Sequence, residues 1–203
     1  MVGGRQRCFD TQEALEKAMH VFWKKGFLGA SLTELTSSMG INKPSLYAAF
    51  GNKEELFISA VSYYYEHEVK PRTALLYTEN RSLTERVKAY LKSSADMICD
   101  STKPGGCFVT AASNEMAGQT LPEKATQAII DATQYNENMF FDFFEAEKSK
   151  GNLAADTHIH DITLFIMTLL HGMAALARKG KSREAIYTII DVAILVVSEA
   201  EKA

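Results

Sequence analysis

Four helix-start signals crowd the segment from Asp10 to Glu55, and that crowding constrains the fold more than any other feature of the 203-residue chain. Asp10, Ser31 and Asn52 each stand three residues ahead of a glutamate (Glu13, Glu34, Glu55), the spacing of a reciprocal cap. Asn42 offers a fourth side-chain acceptor ahead of Lys43-Pro44. Each cap pairs a backbone N–H that a helix would otherwise leave open, so the segment reads as three compact helices feeding a fourth. Leu15, Ala18, Met19, Phe22 and Trp23 recur at helical spacing in the first, and Gly26 is placed to close it. Leu32, Leu35 and Met39 line one side of the second, and Gly40 supplies the left-handed residue that ends it. The third carries Pro44 in its first turn, where a missing N–H is tolerated, and turns Leu46 and Phe50 inward. Leu56, Phe57, Ala60, Val61 and Tyr64 form the stripe of the fourth.

Helical periodicity continues to the C-terminus, while strand patterns are scarce. Helices are expected near Leu83–Ile98, Gly106–Asn114, Pro122–Lys150, Thr157–Lys179 and Arg183–Glu201, separated by Gly- and Pro-containing breaks. The expected architecture is all-α: a three-helix helix-turn-helix unit over residues 1–55, then a larger helical unit over 56–203. No Gly/Ser linker separates Phe50 from Tyr64, so the fourth helix should join the two units mechanically. At 46% hydrophobic and 23% charged residues the chain can build its core without disulfide or metal. The apolar stretch Ile162–Ala177 is interrupted by Thr163, Thr168 and His171 and is too short for a membrane span on this reading. Arg5, Arg7 and Asp10 break any N-terminal signal core, so a cytoplasmic protein with no membrane partner is expected.

Catalysis and cofactor binding find no support. There is no nucleophile–base constellation and no phosphate-cradling glycine loop, so neither an enzyme nor a cofactor is expected. Cys8, Cys99 and Cys107 form no CxxC pair. His158 and His160 point apart on a helix, which argues against metal, and His171 reads as an interior histidine. Cys107 follows Gly105-Gly106 at a helix start, where a thiolate is stabilised, so thiol-based redox or electrophile sensing stands as an alternative function. Charge is uneven along the chain. Up to Glu55 seven bases oppose six acids, leaving +1, so the remainder carries −4 of the total −3. The sign suits an N-terminus that faces DNA.

The stretch Ser31-Leu32-Thr33-Glu34-Leu35 through Met39-Gly40-Ile41-Asn42-Lys43-Pro44-Ser45-Leu46-Tyr47 encodes two short helices joined by a tight glycine turn, the arrangement of a helix-turn-helix. Leu32, Leu35, Ile41, Leu46 and Phe50 would fix the angle between them. Lys43, Ser45, Tyr47, Ala48 and Ala49 fall outside that small core, so the second helix can enter a major groove. Together with Phe22, Gly26-Phe27 and the ending Leu46-Tyr47-Ala48-Ala49-Phe50-Gly51-Asn52-Lys53-Glu54-Glu55-Leu56, the run resembles the signature of the TetR (TetR/AcrR) family of bacterial regulators. It departs from many members at Ala48 and Ala49, where a polar or histidine side chain is common.

The resemblance implies a ligand-responsive regulator, a repressor by expectation, that binds operator DNA as a homodimer and is released by a partly apolar small-molecule effector. A constitutive DNA-binding protein without small-molecule input is the further alternative. Carried over by position, Lys43 and Ser45 would meet base edges or phosphates, and Pro44 and Ala49 thymine methyls. Tyr47, Lys53 and Thr33 would hold the phosphate backbone, with Arg5 and Arg7 as a basic arm. The middle helices would enclose the effector, for which Tyr64, Met97, Cys107, Phe108, Met139, Phe143, Phe165 and His171 are the expected lining. The last helix is apolar around more of its circumference than one core requires, and small residues on the one before it allow close approach, so the two should pair with a second copy. Leu169, Gly172, Met173, Ala175 and Leu176 on one, and Ile186, Ile189, Ile190, Ala193, Leu195, Val196 and Val197 on the other, are the residues that suggest it.

Overall fold

Local capping chemistry sets the first four helices. The computed structural model describes residues 9–201. The Asp10 carboxylate accepts from the N–H groups of Gln12 and Glu13 and opens α1 (Thr11–Gly29). Ser31 opens α2 (Leu32–Met39) and Asn42 opens α3 (Lys43–Phe50) in the same way. Asn52 and Glu55 cap α4 (Lys53–Tyr64) reciprocally, whereas at Asp10 and Ser31 only the cap side chain accepts. Gly26 does not end α1 but breaks it: its φ of 74° and ψ of 177° bend the chain before one more short turn through Gly29. Gly40 ends α2 in the left-handed region, at φ 70°.

Beyond Tyr64 the helical path continues where the sequence patterns showed no element. A wide π turn spans Tyr65–Val69, followed by the single turn α5 (Lys70–Thr73) and a 3-10 turn over Ala74–Tyr77. The nitrogen of Pro71 has no proton to donate, and the wider register beside it lets the chain keep its direction. Ser82 and Glu85 then form a second reciprocal cap at the head of α6 (Leu83–Ile98). Next come α7 (Phe108–Ala117), α8 (Glu123–Ser149), α9 (Ile159–Arg178) and α10 (Arg183–Ala200). Helix α7 starts later than expected, because Gly106 takes a φ of +69° and Cys107 is extended.

Helix α1 packs on α2, α4 and α7, while α4 also lies along α8, so α4 is built into both halves of the protein. An aromatic seam of Trp23, Phe57, Tyr64 and Phe108 fills that junction, with edge-to-face centroid distances of 5.1–5.7 Å. A second aromatic group, Tyr90, Phe140, Phe143 and Phe144, lies farther along α6 and α8. Helix α10 packs on α6, and α9 on α6 and α8. One expectation needs correction. By length and composition α9 is long and apolar enough to cross a membrane. The same helix turns Ile162, Thr163, Ile166, Met167 and Met173 into the protein's own core.

Candidate nucleic-acid interface and internal cavity

The turn between α2 and α3 puts the start of α3 on the surface. Leu46 is fully buried and anchors the helix, while around it Lys43, Pro44, Tyr47, Ala48 and Ala49 are exposed and Ser45 is half-buried. The Ser45 N–H donates to the Asn42 side chain at 2.8 Å, which fixes the first turn. Tyr47 is 50% exposed despite its aromatic ring. Thr33 is exposed at the head of α2, which Lys25 of α1 ties down through an ion pair to Glu34 at 2.5 Å. Lys53 is placed differently from the other basic group. Its ammonium sits 4.5 Å above the centre of the Phe27 ring. Burial lowers its pKa, partly countered by the nearby Glu115 carboxylate. Arg5 and Arg7, the expected basic arm, lie outside the described residues, as does Cys8.

A cavity of about 70 Å³ lies where the far end of α4 meets α6, α7, α8 and α9. Of the expected lining residues, Tyr64, Met97, Cys107 and His171 border it together. The Tyr64 hydroxyl, in a fully buried ring, is 3.3 Å from Cys107 Sγ and 3.9 Å from Met97 Sδ. Burial first, and the neighbouring thiol second, push the Tyr64 pKa well above its ordinary value, so the hydroxyl stays protonated and donates. His171 is not interior: its side chain is exposed at the cavity's edge, and desolvation by its apolar neighbours holds the imidazole below its usual pKa.

The other four expected lining residues sit elsewhere. Phe108 is buried among Trp23, Phe57 and Tyr64, on the far side of Cys107. Met139 packs half-buried on the core, and Phe143 lies between Tyr77 and Arg86. Phe165 faces an open apolar groove with Leu169, Ile189, Val192 and Val196. Their places on the cavity wall are taken by Arg72, Ser94, Thr110, Thr133 and Asn136. Sequence patterns missed these because polar positions on amphipathic helices read as solvent-facing. Asn136 carries a signal only coordinates can give: its buried carboxamide oxygen has no partner among the described residues. Arg72 donates to Glu68 at 3.0 Å, and Glu68 also takes the Lys103 ammonium.

The apolar excess of the last two helices is divided between an inner and an outer face. Met173, Ile186, Ile190 and Val197 are buried in the protomer's own core, against the expectation that they face a partner, while Ala193 lines the outer apolar groove. The outer face carries Leu164, Ile189, Val192, Leu195 and Val196, with Val192 64% and Leu195 60% exposed. His158 and His160 are both exposed.

Two family models cover most of the chain. Residues 14–60 match "Bacterial regulatory proteins, tetR family", and residues 84–192 match "Tetracyclin repressor-like, C-terminal domain". The chain is 32% identical over 186 residues to the HTH-type transcriptional repressor BdcR of Escherichia coli (strain K12), covering 90% of this chain and 86% of that one. It is 28% identical over 186 residues to the HTH-type transcriptional repressor ComR of the same organism, covering 92% and 88%. Among solved structures, a cysteine mutant of the TetR family transcriptional regulator CifR, complexed with 26bp double-strand operator DNA, superposes with a TM-score of 0.83. It is 32% identical, with 94% of this chain and 98% of that one covered. With an exposed helix-turn-helix at one end and a helical body enclosing a cavity at the other, the chain belongs to the TetR family of bacterial transcriptional regulators.

Proposed function

We propose that the protein is a homodimeric repressor that holds operator DNA through α3 and releases it when a small molecule fills the cavity beside Tyr64. The observation that carries this reading is the span of α4. Its first turn, at Asn52 and Lys53, abuts the recognition helix, and its last residue, Tyr64, reaches the cavity. A ligand that favours one placement of Tyr64 over another therefore biases where α3 sits. Lys43 and Ser45 would meet base edges, and Pro44 and Ala49 thymine methyls. Tyr47 and Thr33 would meet phosphates, helped by Arg5 and Arg7. Lys53 would join them by swinging off Phe27. The outer face of α9 and α10 supplies the two-fold contact, which sets two recognition helices at half-sites spaced by a whole number of turns. About 1–3 kcal/mol of coupling is enough to empty most of an operator.

The test begins by selecting genomic DNA fragments on the purified protein and measuring anisotropy on the recovered duplex, with and without a metabolite extract. A two-fold symmetric site whose affinity falls roughly tenfold or more with extract is expected. Failure to select any duplex refutes the DNA reading. An affinity indifferent to every extract leaves a constitutive binder. One observation favours a second reading, thiol sensing: Cys107 lines the cavity under the Tyr64 hydroxyl, and the CifR relative was solved as a cysteine mutant. An electrophile bonded to Sγ would then be the effector. Mass spectrometry would find its adduct on Cys107, and Cys107→Ser would abolish the release. Release that survives Cys107→Ser refutes it.

A further inference from the structure

Besides the course of α4, the cavity wall meets the DNA-binding half at a second covalent point, the chain around Cys107. Cys107 is joined to Gly105 through one residue, and the Gly105 carbonyl accepts from the indole N–H of Trp23 at 3.1 Å. Gly106, between them, has no freedom. Its N–H is fixed to the Ile98 carbonyl at 2.9 Å, its φ is +69°, and a methyl group there would lie 2.8 Å from the Ala174 carbonyl oxygen. Gly105, by contrast, is at φ +80° with open space where its side chain would be. Held by the Ile98 carbonyl and packed close to Ala174, Gly106 has little slack to absorb a displacement of Cys107, which is carried through it to the Gly105 peptide, the group that holds Trp23.

Trp23 stands at a point on α1 that the effector-binding half grips from three directions. Arg178, at the end of α9, donates to the Trp23 carbonyl at 3.2 Å and to that of Lys24 at 3.4 Å. Glu115, on α7, accepts the N–H of Phe27 at 3.0 Å. Together with Gly105 these contacts form a collar around the break at Gly26, where α1 has no continuous hydrogen-bond ladder of its own to resist a pull. From this geometry we infer that Trp23 is a positioning residue: through Gly105 it reports the state of the Cys107 side of the cavity to α1, and thereby to α2 and α3. The inference takes the cavity as the effector site from the reading above, but its test does not need operator DNA.

The test uses the full-length protein with Cys8→Ser and Cys99→Ser, so that Cys107 alone reacts with methyl methanethiosulfonate. The Cys107 Sγ–S bond forms, the S–SO2 bond of the reagent breaks, and the thiol proton leaves with methanesulfinic acid. Once mass spectrometry shows the added S-methyl group, hydrogen exchange of the backbone amides in residues 19–29 is compared before and after. Exchange there should rise roughly threefold or more as the collar loosens. In the same protein carrying Trp23→Phe, which keeps an aromatic ring but has no N–H, the adduct should no longer change it. Emission from Trp23, the chain's one tryptophan, is followed alongside. Complete modification with unchanged exchange in the parent overturns the inference even if the phenylalanine variant does not fold, and so does an undiminished response in that variant. Operator affinity measured in parallel decides the other question. Exchange that rises without operator release would refute the regulatory reading and leave the route through Trp23 standing.

Discussion

Replacing Glu147 with glutamine should remove a buried polar contribution to the stability of the C-terminal helical half, and should do so in a pH-dependent way. Glu147 is 1% exposed on α8 and accepts from Arg86 at 2.5 Å, Asn152 at 2.7 Å and Lys150 at 2.9 Å. Arg86 also donates to the Leu76 carbonyl at 2.8 Å, so the pair ties α6, α8 and the 3-10 turn together. Burial pushes the Glu147 carboxyl up, but the three hydrogen bonds outweigh it and hold the pKa at about 2, from 4.5. At about 1.4 kcal/mol per tenfold change, that difference is worth about 3 kcal/mol. Because the folded pKa is the lower one, the contribution is present in full above pH 4.5 and is lost as pH falls towards 2. Near pH 3 about 2 kcal/mol of it should be gone. Urea unfolding at fixed protein concentration, at pH 7 and pH 3, measures both quantities. Glu147→Gln should cost about 3 kcal/mol or more at pH 7, since it leaves Arg86 buried against a neutral partner. Between the two pH values the variant should also lose about 2 kcal/mol less than the parent does. A cost below about 1 kcal/mol at pH 7, or identical pH dependence in the two proteins, would refute the argument.

Lys43→Ala should weaken specific operator binding by about 1–3 kcal/mol while leaving thermal stability unchanged, since the side chain is exposed at the start of α3; anisotropy and melting curves separate the two effects. Val192→Arg, on the outer face of α10, should give a folded monomer in sedimentation, because the residue touches solvent in the isolated protomer and a partner only in the dimer. Ala193→Arg, one position on, should block the same pairing, because Ala193 lines the outer apolar groove with Val192 and Val196. Gly106→Ala should destabilise by about 1–2 kcal/mol from its positive φ alone, and further from the approach to Ala174, read as a lower urea midpoint.

The sequence by itself determined the helix-turn-helix, because that unit is made of short-range chemistry. Asn42 and Asn52 cap helices within three residues of themselves, Gly40 needs only its own backbone freedom, and Leu46 is the aliphatic residue of a short helix otherwise polar, small or aromatic. The start of α6 was equally local, at Ser82 and Glu85. The wide turn at Tyr65–Val69 was not legible, since a π register leaves no period in the side chains and is adopted only where packing on both sides allows it. The cavity was half legible. Tyr64, Met97, Cys107 and His171 reach it, but whether an aromatic such as Phe143 or Phe165 points to the cavity, the core or the outside depends on how helices cross. The same holds for α10, apolar on nearly all sides. Only its docking on α6 decided that Ile186, Ile190 and Val197 are core, and that Val192, Leu195 and Val196 are left for a partner. Nor could any pattern in the sequence bring Arg86 to Glu147, or the Trp23 indole to the Gly105 carbonyl across 82 residues of chain, because such contacts are set by the packed arrangement of helices and by no neighbour in sequence.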